Sequence, residues 1–150
     1  MSTDWINITI EDLYTYLAAP QVEALRRCAL AKSQQDPVED AIHNTALNIR
    51  AHIASNKRNA LSQRPYAIPP ELKNEACVLV LEIAQLRIPG LKLTSDQSHL
   101  ADQARSKLQK VVSGEIVISL PNDRIAGREK SIAVVSKRPH FVTGQTLKGF

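Results

Sequence analysis

Glycine is scarce in this chain, with five in 150 residues and none before Gly90. That excludes the Gly-rich phosphate loops of dinucleotide-binding and P-loop proteins from the first 89 residues, because both need glycine where the backbone approaches a phosphate. Cysteine is limited to Cys28 and Cys77, each inside an apolar helical pattern with no second Cys or His at metal-ligand spacing. Both read as small buried hydrophobes, and no disulfide is expected of a chain that stays in the cytosol. Long apolar runs are missing too. The longest, residues 76–81, is far too short to span a bilayer, and the first residues lack the charged-then-apolar pattern of a signal peptide.

What is present is the composition of an ordinary folded protein, with 43% hydrophobic and 23% charged residues. A chain of 150 residues is expected to build one core. The net charge of +4 is unevenly placed. Residues 1–120 carry 13 Lys and Arg against 13 Asp and Glu, whereas residues 121–150 carry 6 against 2, so the excess cation lies entirely in the last thirty residues.

Caps and periodicity place the helices. Thr9 before Ile10-Glu11-Asp12-Leu13 supplies an N-capping hydroxyl and two first-turn acids, with Leu13 and Leu17 four apart. Pro20 opens a second short helix along Val22, Leu25, Cys28 and Ala29, which stops before Ser33. Asp36-Pro37-Val38-Glu39 is the strongest local signal: an N-cap acid, a proline at the first helical position and a Glu placed to close a capping box. The long helix it starts carries Val38, Ile42, Ala46, Ile49 and Ile53 in one stripe, with His43, Asn48, Arg50 and His52 off it. The prolines of Arg64-Pro65-Tyr66-Ala67-Ile68-Pro69-Pro70 demand a stiff connector. Residues 71–87 then read as a central helix, apolar at Leu72, Ala76, Cys77, Leu79, Val80, Leu81, Ile83, Ala84 and Leu86, with Glu75, Glu82 and Gln85 as its polar edge. A buried strand over 77–81 is the alternative. Pro89-Gly90 breaks the chain, Thr94 or Ser95 with Asp96 restarts it along Leu100, Ala104, Leu108 and Val111, and Gly114 stops it. Ile116-Val117-Ile118-Ser119-Leu120 is short and β-branched and suits a strand or an extended arm.

The fold class expected is thus mainly α: a bundle of four to five helices over residues 1–120, a short extended segment, and an extended C-terminal arm over 121–150. The arm holds three of the five glycines and cannot form a core alone. It is expected to order against a partner, with Ile132, Val134, Val135, Phe141, Val142 and Phe150 as apolar anchors and Arg124, Arg128, Lys130, Lys137, Arg138 and Lys148 as cations. These cations suit an acidic protein surface better than a nucleic-acid backbone, because Asp123, Glu129 and the apolar patch interrupt them. Trp5, just before the first helix, is either a lid on the core or an exposed interface anchor.

Catalytic chemistry has little to work with. His43 and His52 are nine apart on one helix, too far to share an ion. Asp96, His99 and Asp102 share a helix face, but no nucleophile or third ligand stands near, so a solvated capping turn is the reading. Glu11-Asp12 and Glu39-Asp40 sit where helix dipoles favour acids. No catalytic, cofactor or metal residue is assigned.

The order of these elements resembles a known family. The capped helix at Asp36, the Tyr66-Ala67-Ile68-Pro69-Pro70-Glu71-Leu72 connector, Glu82-Ile83-Ala84-Gln85-Leu86-Arg87, and Ala104-Arg105-Ser106-Lys107-Leu108 with Ser113-Gly114-Glu115-Ile116 resemble the small helical head-completion proteins of Mu-like tailed phages. The similarity covers residues 9–120 and consists of apolar and proline positions rather than a chemical signature. It implies a head-tail connector: a ring, typically of twelve copies, between the portal protein and a tail-side terminator or stopper protein. The ring would sit in the virion neck after assembly in the host cytoplasm, with DNA as passing cargo and no membrane contact. Residues after Pro121 fall outside the family pattern. The reading from a different class is a nucleic-acid-binding regulator using the basic tail.

Overall fold

The computed structural model describes residues 2–27, 35–87 and 92–124. It is mainly helical, with five α-helices among the described residues: α1 (Ile10–Leu13), α2 (Ala19–Arg26), α3 (Pro37–Ser55), α4 (Lys73–Leu86) and α5 (Ser95–Ser113). A 3-10 turn, Pro70–Leu72, leads into α4. Two very short strands, β1 (Ser2–Thr3) and β2 (Leu120–Pro121), pair in parallel with Ser2 opposite Leu120 and Thr3 opposite Pro121.

The helix starts follow from their caps. Asp36 accepts the Val38 N–H at 2.9 Å, satisfying one donor of the α3 first turn. The expected capping box with Glu39 is not made: Glu39 is exposed, and the second Asp36 oxygen instead takes the Arg26 Nε of α2 at 2.5 Å. On α5 the box closes. Thr94 Oγ1 accepts from Gln97 N–H at 3.2 Å, and Gln97 Oε1 accepts from Thr94 N–H at 3.0 Å. Gly114 ends α5 at φ +83°, where a β-carbon would be strained.

α4 is the axis of the bundle and packs against α3, α5 and α1. Its inner positions Ala76, Val80 and Ala84 meet the α3 stripe of Val38, Ile42, Ala46, Ile49 and Ile53 and the α5 row of Ala101, Ala104, Leu108 and Val111, all buried. Each large aliphatic chain so enclosed contributes roughly 1.5–3 kcal/mol of transfer free energy. Ion pairs close the α4–α5 edge: Lys107 Nζ lies 2.6 Å from Glu75 Oε1, and Arg105 pairs with Glu82. Lys73 of α4 reaches Asp12 of α1 at 2.6 Å. No described helix is long and apolar enough to cross a membrane.

Three expectations from periodicity need correction. Gln85, read as part of the polar edge of α4, is buried, whereas Leu86, read as apolar interior, is 67% exposed. On α5 the buried row steps from Ala104 to Ala101, so Leu100 falls to the rim at 46% exposure. In all three cases the side chain lies one position off the helix stripe, and neighbouring helices decide which edge is covered. Regular α-helix in α1 ends at Leu13, so Leu17, four positions on, lies beyond it.

Candidate interaction surface at the root of the C-terminal segment

The chain does not leave the domain at residue 120. After Gly114 the Ile116 N–H returns to the Lys110 carbonyl at 3.1 Å, and Ile118 is buried in the core. Ser119 is gripped by Glu71, whose carboxylate accepts its N–H at 3.2 Å and its hydroxyl at 3.1 Å. Of the strand or extended arm expected over 116–120, regular strand is confined to Leu120–Pro121. The seam continues beyond it. Asn122 donates from its backbone to the Thr3 carbonyl at 3.2 Å and from Nδ2 to Asp4 Oδ1 at 2.7 Å. Asp123 takes the Ser62 hydroxyl at 2.8 Å, its carbonyl accepts the Gln63 N–H at 3.1 Å, and Arg64 Nε stands 3.6 Å from its carboxylate. Arg124 forms an antiparallel bridge with Ser62. The folded body therefore runs through Arg124, not to a boundary at 120.

Under this seam lies Arg50. Its Nη1 donates to the Ala67 carbonyl at 2.8 Å and its Nη2 to the Ser62 carbonyl at 2.9 Å, while its guanidinium sits 5.9 Å from the centroid of the Trp5 ring. Two carbonyls at a fixed spacing suit the planar fork of arginine. Burial pulls the Arg50 pKa below its ordinary value, opposed by the field of Asp123. The Asp123 carboxyl is held below its ordinary value, chiefly by the Ser62 hydrogen bond.

Of the two readings of Trp5, the structure selects the lid: the ring is 1% exposed, Nε1 donates to the Ser119 carbonyl at 3.1 Å, and the Trp5 carbonyl accepts from Arg64. Trp5 is therefore not an exposed anchor. Its burial follows from its contacts with both the connector and the exit strand, which no local pattern reveals. Arg124 is exposed at the edge of the seam. Arg128, Lys130, Ile132, Val134, Val135, Lys137, Arg138, Phe141 and Phe150 lie outside the described residues, as does Cys28.

Other polar candidates have partners within the fold. His43 is exposed and stacks on Tyr66 with centroids 4.3 Å apart, and His52 Nδ1 lies 2.9 Å from the Asn48 carbonyl. Asp102 pairs with Arg105 at 3.1 Å. Cys77 is buried, and burial pushes its thiol up to about 11, which keeps it protonated near neutrality. Among the described residues no cluster of His, Cys, Asp or Glu could hold a metal ion.

A second surface has no local signature in the sequence. A groove runs along α4 between α5 and the α1–α2 segment, past Asn74 and Glu75, then Tyr16, Val78 and Leu100, then Gln85. Its middle section is a cavity of about 70 Å³. Gln85 Oε1 and Glu75 Oε2 are buried here and accept no hydrogen bond among the described residues. The apolar circumference of α4 was the only signal in the sequence, because it left one face in excess of what two long helices cover.

Comparison of the chain with known protein families, functionally characterised proteins and solved structures returned no match.

Proposed function

We propose that this protein is a structural head-tail connector that forms a ring between portal and tail in a tailed phage and continues the DNA channel. The observation that carries this reading is the seam: the exit strand is bound to the N-terminal residues and to the 62–68 connector through Arg124. A segment of net charge +4, residues 125–150, thus leaves a neutral helical body from a fixed point. Such a body supplies a packing unit, and such a segment supplies reach toward the next polypeptide. The resemblance of residues 9–120 to Mu-like head-completion proteins adds the place of action. A ring needs two different patches that meet between copies, and the root and the α4 groove are two such patches.

The test is deletion of residues 125–150, a cut that spares the Ser62–Asp123 link. Imaging and mass measurement of the purified full chain should show a closed ring, and the deleted chain should stay folded but fail to form rings or to join filled heads to tails. Normal joining without the segment overturns the coupling role. Steep salt-dependent binding of random duplex DNA by the full chain, lost in the deleted one, would instead mark a nucleic-acid regulator.

A further inference from the structure

The exit strand is attached to the body in a different way from the helices. α3, α4 and α5 are joined by buried aliphatic side chains, whereas residues 118–124 put only Ile118 and Pro121 into the interior. The rest of the attachment is polar, and much of it lies at the surface. Ser119 is held by Glu71, Asn122 by Thr3 and Asp4, and Asp123 by Ser62 and Gln63. Few buried apolar contacts and many surface hydrogen bonds are the physical marks of a segment that opens before the whole fold does.

The segment also has defined ends. Gly114 turns the chain out of α5, and the next main-chain tie is the Ile116 N–H on the Lys110 carbonyl. Val117, between that tie and Ile118, is 87% exposed, so it can swing while giving up almost no packing. The slot under the segment is held from the other side. Arg50 fastens the connector through the Ser62 and Ala67 carbonyls, and Ile6 and Ile68 exchange both main-chain hydrogen bonds at 2.9 and 2.8 Å. None of these bonds involves residues 118–124. Residues 2–4 are in the opposite position. β1 pairs with β2, Thr3 takes the Asn122 N–H and Asp4 the Asn122 Nδ2, and no other hydrogen bond holds residues 2–4 among the described residues.

We propose that residues 118–124 form a strap that opens as one unit while the helices stay folded, freeing residues 2–4 in the same event. The closed strap roots the C-terminal segment at Arg124 and the open one roots it at Ile116, which adds about 26 Å of extended chain at roughly 3.3 Å per residue. Opening also uncovers Trp5, whose indole N–H donates to Ser119, above a slot that Arg50 and the Ile6–Ile68 pair keep in shape. The two ends of the body thus share one switch, whether or not the molecule is a connector.

The experiment is amide hydrogen exchange of the full native chain, read residue by residue by NMR in low urea. Four amides are followed: Ser119, which donates to Glu71; Asn122, to Thr3; Gln63, to Asp123; and Val80, buried in the middle of α4. The first three should share one opening and be protected at least about tenfold less than Val80. Asp4→Ala cuts a tie at the N-terminal strand, and Ser62→Ala cuts one at the connector. Each should lower the protection of all three strap amides by one common factor of at least about threefold. Ile42→Val, in the α3 stripe more than two turns from Arg50, should lower Val80 protection and leave the three strap amides unchanged, because the helices stay folded when the strap opens. Strap amides that exchange only together with Val80, or that fall with it in Ile42→Val, overturn the independent opening. Loosening of Asn122 alone in Asp4→Ala marks separate fraying and overturns the single unit.

Discussion

Ser62 and Asp123 meet across sixty-one positions of sequence, the buried serine hydroxyl donating to the aspartate carboxylate at 2.8 Å. The same serine oxygen accepts the Arg64 N–H at 3.1 Å, so one side chain fixes the connector and the exit strand together.

This pair makes the root acid-sensitive. The Asp123 pKa is lower folded than unfolded, so the unfolded state binds more protons between the two values and stability rises with pH there. The contribution is complete above the unfolded value of 3.8 and is lost as pH falls through the lower folded value. Asp12 acts in the same direction: burial raises its pKa, but hydrogen bonds from Lys73 and Thr9 outweigh that and hold it below 3.8. Hydrogen-exchange protection of residues 120–124, corrected for intrinsic rate, should drop below pH 3.8 in the native chain and be flat with pH in Asp123→Asn.

Arg50→Lys should destabilise the protein by roughly 1–2 kcal/mol, because an ammonium cannot span two carbonyls and one is left short of a donor. Urea denaturation followed by Trp5 fluorescence measures it. A midpoint equal to that of the native chain would show that the fork is dispensable.

Gln85→Leu tests whether the buried Gln85 carbonyl is unsatisfied. Replacing an unpaired buried carbonyl by an apolar group of similar size should raise the stability of the chain by about 1 kcal/mol. Urea denaturation measures it, and a midpoint below that of the native chain contradicts the assignment.

Gly114→Ala should cost roughly 1–2 kcal/mol, the price of a side chain at positive φ. The new β-carbon would also stand 3.2 Å from Asn56 Nδ2, which must shift. Thermal melting reads the loss, and Gly114→Asn should lose less, since asparagine tolerates this backbone region.

Local signals carried much of the fold. Asp36-Pro37, Thr94 or Ser95 with Asp96, and Gly114 each act within a few residues, and the structure puts helix ends at all three. Periodicity placed Val38, Ile42, Ala46, Ile49 and Ile53 on one buried stripe. It failed at Gln85, Leu86 and Leu100, which sit at stripe edges where the covering neighbour decides. The seam was illegible for another reason. It joins residues 2–6, 62–68 and 118–124 largely through main-chain groups, which every residue carries and no residue type announces. Trp5 shows the limit most clearly: its position before a helix permits either face, and only Ser119, 114 positions away, fixes the indole N–H.

The parallel sense of β1 and β2 bears on how the molecule takes tension. Chain entering before Ser2 and chain departing after Pro121 approach the pair from opposite ends. A pull between them drags the two strands past each other, so their cross-links strain simultaneously instead of peeling one at a time. The Trp5 and Asp123 hydrogen bonds just beyond would be loaded by the same pull.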